Sequence, residues 1–199
     1  ESGMRTVFWD TDTNTCKMID QRRLPGSLEI FTLHSHAGVA EAIRNMTVRG
    51  APAIGAAAAF GLALAAREST ARDFSGFLTD LESAAVTLKA SRPTAVNLAW
   101  AVERVMRKAY SVKGNADELR MAVLAEAQNI ADEDVEVNIR MAAHGAALID
   151  DGDTIIHHCN TGALAVVDWG TALGAIRTAH EQGKRIHVLV DETRPRLQG

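Results

Sequence analysis

Hydrophobic positions change their period twice along the chain. In residues 5–33 they alternate or cluster in short runs: Thr6-Val7-Phe8-Trp9, Cys16-Lys17-Met18-Ile19-Asp20 and Leu28-Glu29-Ile30-Phe31-Thr32-Leu33. Successive side chains on a strand point to opposite faces, so this pattern predicts three short strands. The turn-rich Asp10-Thr11-Asp12-Thr13-Asn14 predicts that the first two form a hairpin. From about residue 40 to 145 the spacing is helical. Ser35 can cap a helix carrying Val39, Ile43 and Met46 at i, i+4 and i+7. Phe74, Phe77, Leu78, Leu81, Ala85 and Leu88 mark another apolar face, with Asp73 near its start. Leu98, Val102, Val105 and Ala109 mark a third. Leu119, Val123 and Ile130 begin a fourth, long helix, for which Asp132-Glu133-Asp134 is the candidate break.

The second change falls near residue 150. Asp151-Gly152-Asp153 reads as a turn, Thr154-Ile155-Ile156-His157-His158-Cys159 as a strand, and Gly162 to Gln182 as a helix. Leu173 and Ile176 face inward on that helix, and Gly183 stops it. Arg185-Ile186-His187-Val188-Leu189-Val190 is the next strand. Strand, helix, strand implies a parallel pair. The fold class is therefore α/β. Residues 4–148 form a domain of a small antiparallel sheet and helices, and residues 149–199 the first βαβ unit of a Rossmann-like domain. Two parallel strands cannot make a doubly wound sheet with both faces covered. The polypeptide is thus expected to be incomplete or completed by another chain.

Composition narrows the class. The chain has 199 residues, 47% hydrophobic and only 5% aromatic, which favours close-packed, alanine-rich helices over a β-sandwich. The run Ala51 to Ala66 is slightly short for a membrane span and reads as a buried helix. A net charge of −4 gives no reason to expect nucleic acid or an anionic membrane as partner. Local positive charge can still serve a small anion. The two cysteines, Cys16 and Cys159, make no CxxC pair, so a reducing cytoplasm is the default.

Four segments carry candidate chemistry. In Val48-Arg49-Gly50-Ala51-Pro52-Ala53-Ile54-Gly55, Pro52 fits a first helical turn, Gly50 and Ala51 leave amides approachable, and Arg49 adds a cation. That is an anion site or an ordinary helix start. Ser91-Arg92-Pro93-Thr94-Ala95-Val96-Asn97-Leu98 offers a second Arg-Pro helix start, or a simple boundary with a solvated Arg92. His157-His158-Cys159-Asn160-Thr161-Gly162-Ala163-Leu164-Ala165 puts Cys159 at the carboxyl end of a strand just before a helix. Crevices of open α/β sheets lie there, and a thiol at a helix start ionises more readily. The alternative is a buried, inert cysteine. His157 and His158 face opposite ways, which argues against joint zinc ligation. Asp168 and Trp169 are read as packing groups on the following helix. Finally, Asp191-Glu192-Thr193-Arg194-Pro195-Arg196-Leu197-Gln198-Gly199 leaves the sheet on the same side as Cys159, either lining the crevice or forming a charged loop.

These segments, in order and preceded by Ile19-Asp20-Gln21-Arg22-Arg23-Leu24-Pro25, resemble the methylthioribose-1-phosphate isomerase family, which shares its fold with regulatory subunits of a translation-initiation exchange factor. The resemblance runs through the whole chain. It implies a cytoplasmic, homodimeric aldose–ketose isomerase of methionine salvage, without metal or other cofactor. Such an enzyme takes 5-methylthioribose 1-phosphate to 5-methylthioribulose 1-phosphate. By that resemblance Cys159 is the active-site cysteine, and Arg49, Gly50, Ala51, Arg92 and Gln198 bind the sugar phosphate. The family's catalytic aspartate, in a later Gly-x-Asp-Arg-type segment, and an Asn-Lys pair are not in this sequence. Asp191 belongs to a different motif. Other readings are an isomerase of ribose 1,5-bisphosphate or 5-deoxyribose 1-phosphate, or a non-catalytic subunit sensing sugar phosphate or nucleotide.

Overall fold

The computed structural model of the chain describes residues 4–71 and 73–193. The predicted hairpin is present: β1 (Val7–Asp10) pairs antiparallel with β2 (Thr15–Ile19), placing Trp9 opposite Cys16. β3 (Ile30–Leu33) adds to the far side of β2. Val7, Cys16, Met18 and Leu33 share one face and are buried, Phe31 lies exposed at the edge of that same face, and Lys17 and Thr32 on the opposite face are half-buried. The sheet thus turns one face to the helices, as its alternating pattern requires.

Among the described residues six α-helices follow: α1 (His36–Arg44), α2 (Ala51–Glu68), α3 (Phe74–Ser91), α4 (Val96–Ser111), α5 (Ala116–Ala146) and α6 (Ala172–Glu181). Local capping sets several of their starts. Ser35 accepts from Gly38 N, Asp73 from Gly76 N, and Asn115 from Asp117 N and Glu118 N, each satisfying donors that a first turn leaves without partners. The hub is α2, whose residues from Ala53 to Ala66 are all buried. Helices α1, α3, α4 and α5 all pack on it. A helix apolar on every side belongs in a core, and small side chains let its neighbours approach closely. A Cβ on Gly61 would lie 2.8 Å from the Leu88 side chain. Among the described residues no helix is long and apolar enough to cross a membrane.

Three local expectations need correction. Helix α5 runs unbroken through Asp132-Glu133-Asp134, because each carboxylate has partners. Asp132 pairs with Arg5 at 2.6 Å, Glu133 with Arg104, and Asp134 accepts from Val167 N at 2.8 Å. Pro93 does not open α4. Arg92 is the C-cap of α3, residues 93–94 make a turn, and α4 begins at Val96 with Ala95 as its N-cap. A proline disfavours α geometry in the residue before it, so here it ends one helix rather than starting the next.

The third correction concerns the segment after Cys159. Strand β4 (Thr154–His157) pairs parallel with β5 (His187–Val190), as predicted, but His158 and Cys159 lie beyond its end. No long helix follows. Ala163–Ala165 is a single 3-10 turn, residues 166–171 are irregular, and α6 starts only at Ala172. Two features hold this stretch out of a helix. Gly162 and Gly170 form an isolated antiparallel bridge, and Thr171 N donates to Thr161 O at 2.8 Å. Trp169 has a positive φ and turns back on α6, donating from Nε1 to Thr178 and stacking under Arg177 at 4.0 Å. Asp168 and Trp169 therefore precede α6 rather than ride on it. Ile176 is buried on α6, but Leu173 is exposed.

Candidate functional site

The turn before α2 is where distant segments meet. Gly50 is the N-cap of α2 with φ 99°, and Pro52 sits in the first turn. A Cβ on Gly50 would lie 2.1 Å from the carbonyl oxygen of Ala165. The backbone of Arg49-Gly50 therefore rests directly on the segment that follows Cys159, an approach only glycine permits. Gln21 fastens the same junction. Its Nε2 donates to Leu164 O at 2.7 Å, and its Oε1 accepts from Arg49 Nε at 3.3 Å. Gln21 N donates to Thr47 O at 2.9 Å. Nearby, Thr6 Oγ1 donates to Ala163 O at 2.6 Å. The N-terminal sheet, the α2 turn and residues 163–165 are thus bonded together, although no simple spacing in the sequence relates them.

Cys159 lies in the turn beyond β4. It is exposed, with φ 66°, a conformation uncommon for residues with a side chain. The turn is built around His157 and Thr161. His157 is buried, and its Nε2 is hydrogen-bonded to Thr161 Oγ1 at 2.6 Å. Thr161 Oγ1 also accepts from Leu173 N at 2.9 Å. His157 Nδ1 is buried with no hydrogen-bond partner among the described residues. His158 points the other way and meets Asp191 at 2.5 Å, tying together the carboxyl ends of β4 and β5. Because α6 begins at Ala172, no helix dipole acts on Cys159, and that part of the expectation is withdrawn. The other thiol, Cys16, is fully buried, and desolvation pushes its pKa far up.

A cleft of about 270 Å³ opens beside the first turns of α2. Pro52 and Gly55 form one wall, Asn97 and Trp100 of α4 another, and Glu133 and Asp134 of α5 a third. Asn97 thus brings the Arg92–Leu98 motif to the first turns of α2, whereas Arg92 itself is not among the residues that line the cleft. The carboxylates in the wall are fixed. Arg104 holds Glu133 through two hydrogen bonds, at 2.5 and 2.7 Å, and lowers its pKa. Asp134 also accepts from Asn138 Nδ2 at 3.1 Å, and burial raises its pKa. Cys159 is not among the residues that line this cleft. Gln198 lies outside the described residues. Among the described residues no group of three His, Cys, Asp or Glu side chains is disposed to hold a metal ion.

Gln21 stands within the Ile19–Pro25 motif, whose pattern assigns it no role; Glu133 and Asp134 read locally as a helix break, and no local pattern pairs His157 with Thr161. Only Gln21 left a local signal, an amide just past a strand that carries a buried face.

Comparisons with known proteins bear on the family and the fold. Residues 47–199 match the model of the initiation factor 2 subunit family. The chain is 54% identical over 198 residues to the methylthioribose-1-phosphate isomerase of Synechococcus sp., covering 100% of this chain and 56% of that protein. It is 52% identical over 196 residues to the enzyme of the same name from Thermosipho melanesiensis, covering 98% of this chain and 56% of the relative. The chain thus spans little more than half the length of these relatives. Among solved structures, 5-methylthioribose 1-phosphate isomerase from Pyrococcus horikoshii superposes with a TM-score of 0.92 at 45% identity, over 100% of this chain and 55% of that one. The delta subunit of translation initiation factor eIF-2B from A. fulgidus superposes with a TM-score of 0.89 at 46% identity, over 99% of this chain and 57% of that one.

Proposed function

The chain belongs to the initiation factor 2 subunit family, and from that premise we propose that its protein is an aldose–ketose isomerase acting on 5-methylthioribose 1-phosphate. The observation that carries this reading is the 54% identity that extends over 100% of the chain to a relative of that name. The geometry supports it. In this reading the phosphate is held at the turn before α2, where Arg49 supplies charge and the amides of Gly50 and Ala51 face the open end of the helix. Arg92 and Gln198 complete the grip. Phosphate anchoring supplies positioning for the sugar carbons.

The chemistry asks for more than binding. Phosphate esterifies the anomeric oxygen, so the ring must open with the phosphate retained and hydrogen must then pass from C2 to C1. Cys159 is assigned to that transfer, because it stands exposed at the carboxyl end of β4, just before the loop that rests on Gly50. A proton donor to the ring oxygen is also needed. Among the pentose phosphates weighed above, the cleft favours one with an uncharged 5-substituent. Its walls pair Trp100 and Pro52 with the carboxylates of Glu133 and Asp134, and like charges repel a second phosphate. The same reading divides this chain into domains of residues 4–148 and 149–199 and makes the whole protein a cytoplasmic homodimer. Light scattering at a single chain mass would count against the dimer.

The test is turnover by the full-length protein. Cys159→Ala is expected to lose at least about 100-fold in kcat, on the scale of acid–base or nucleophilic groups. Near-normal turnover by a folded variant would remove Cys159 from the mechanism. Absence of turnover by the wild type would remove the reaction.

A further inference from the structure

Gln21 sits at the junction without touching the cleft. It is 3% exposed, and a buried amide without partners would cost roughly 1–3 kcal/mol. Both ends of its side chain are engaged, the donor by Leu164 O and the acceptor by Arg49 Nε. Each end fixes something different. The Leu164 bond holds the 163–165 segment against the end of β2. The Arg49 bond restrains rotation of the guanidinium plane.

The choice of an amide has a consequence. A carboxylate at position 21 would bond the guanidinium more strongly, but it would also offset its positive charge. It would face the Leu164 carbonyl with an oxygen instead of a donor. A neutral amide orients Arg49 without adding a negative charge beside it, as a carboxylate would. We propose that Gln21 is a positioning residue for phosphate recognition, acting through Arg49 and coupling it to the segment that follows Cys159. This rests on the reading of the α2 turn as the phosphate site.

Sulfate, a dianion across the working pH range, serves as the probe. Its dissociation constant is measured by calorimetry on the full-length wild type, Gln21→Met, Gln21→Glu and Arg49→Lys, and on the Arg49→Lys/Gln21→Met double variant. KM, kcat and urea midpoints accompany each. Gln21→Met is expected to weaken sulfate about tenfold, one hydrogen bond's worth of orientation to a charged group. It should raise KM by more than it lowers kcat. Gln21→Glu, close to isosteric and so the deciding variant if Gln21→Met fails to fold, is expected to weaken sulfate at least as much. In the Arg49→Lys background Gln21→Met should add less than twofold, since lysine has no guanidinium plane to orient and the two residues act as a unit. A merely structural role would lower urea midpoints and leave the sulfate constant and KM in place, and that result overturns the inference. So do additive effects in the double variant, or a wild type that does not bind sulfate. A wild type that binds sulfate but does not isomerise removes the proposed reaction and leaves the inference to the sulfate constants.

Discussion

Gly50→Ala is the sharpest perturbation the fold offers. Gly50 has φ 99° and ψ 133°, a region essentially reserved for glycine. Placing alanine there costs about 1–3 kcal/mol from backbone strain alone. The added Cβ would also lie 2.1, 2.4 and 2.5 Å from the O, Cα and C atoms of Ala165. These are backbone atoms, so no side-chain rotation relieves the contact. Overpacking of this kind adds roughly 1–3 kcal/mol as the Ala163–Ala165 turn is pushed away. The sum, about 2–6 kcal/mol, is a large part of a typical stability of roughly 5–15 kcal/mol. Gly152→Ala supplies the control, because Gly152 has φ 93° and nothing within 4 Å of its would-be Cβ. It should lose only the strain, about 1–3 kcal/mol. Urea melts with midpoints and slopes give both values. The difference between the two variants isolates the clash. If Gly50→Ala costs no more than Gly152→Ala, the backbone contact between the α2 turn and the segment after Cys159 is not formed, and the site as described fails.

Two further outcomes follow from the titrating groups. Of the two thiols described, exposed Cys159 should be alkylated by iodoacetamide at pH 8, while Cys16, buried and with its pKa pushed up by desolvation, should react only as fast as the chain unfolds; peptide mass mapping that finds Cys16 modified first would contradict the core of the sheet. For Asp134, burial raises the folded pKa above the unfolded value of 3.8. The unfolded chain therefore ionises first as pH rises, and this carboxyl's contribution to stability is full below that value and lost as pH climbs through the folded pKa. Asp134→Asn keeps an acceptor for Val167 N and has no such titration. The stability of wild type minus variant should then fall as pH rises from the unfolded value through the raised folded pKa. A flat or rising difference in urea midpoints would refute the assignment.

Legibility followed the range of the forces involved. Caps at Ser35 and Asp73, the β1–β2 hairpin and the parallel β4–β5 pair rest on contacts between near neighbours or on periodicity, and each was readable. The unbroken α5 was not, because the partners of Asp132, Glu133 and Asp134 are Arg5, Arg104 and Val167 N, far off in the chain. The helix expected after Cys159 failed for a similar reason. Residues 162–170 look compatible with helix locally, yet the bridge between Gly162 and Gly170 and the stacking of Trp169 on Arg177 claim that backbone first.

By itself the sequence determined the order of elements, the buried character of α2, the family, and the residue types available for an anion and a reactive thiol. Periodicity, capping chemistry and motif order carry that information along the chain. Only the tertiary structure decided which of those residues meet. The seating of Gly50 on Ala165, the bonds of Gln21 to Leu164 and Arg49, and the closure of a cleft by Asn97, Glu133 and Asp134 each join segments distant in sequence. Such contacts arise when helices close around α2 and bring their ends together, and that packing follows from the shape of the whole core rather than from any single stretch of chain.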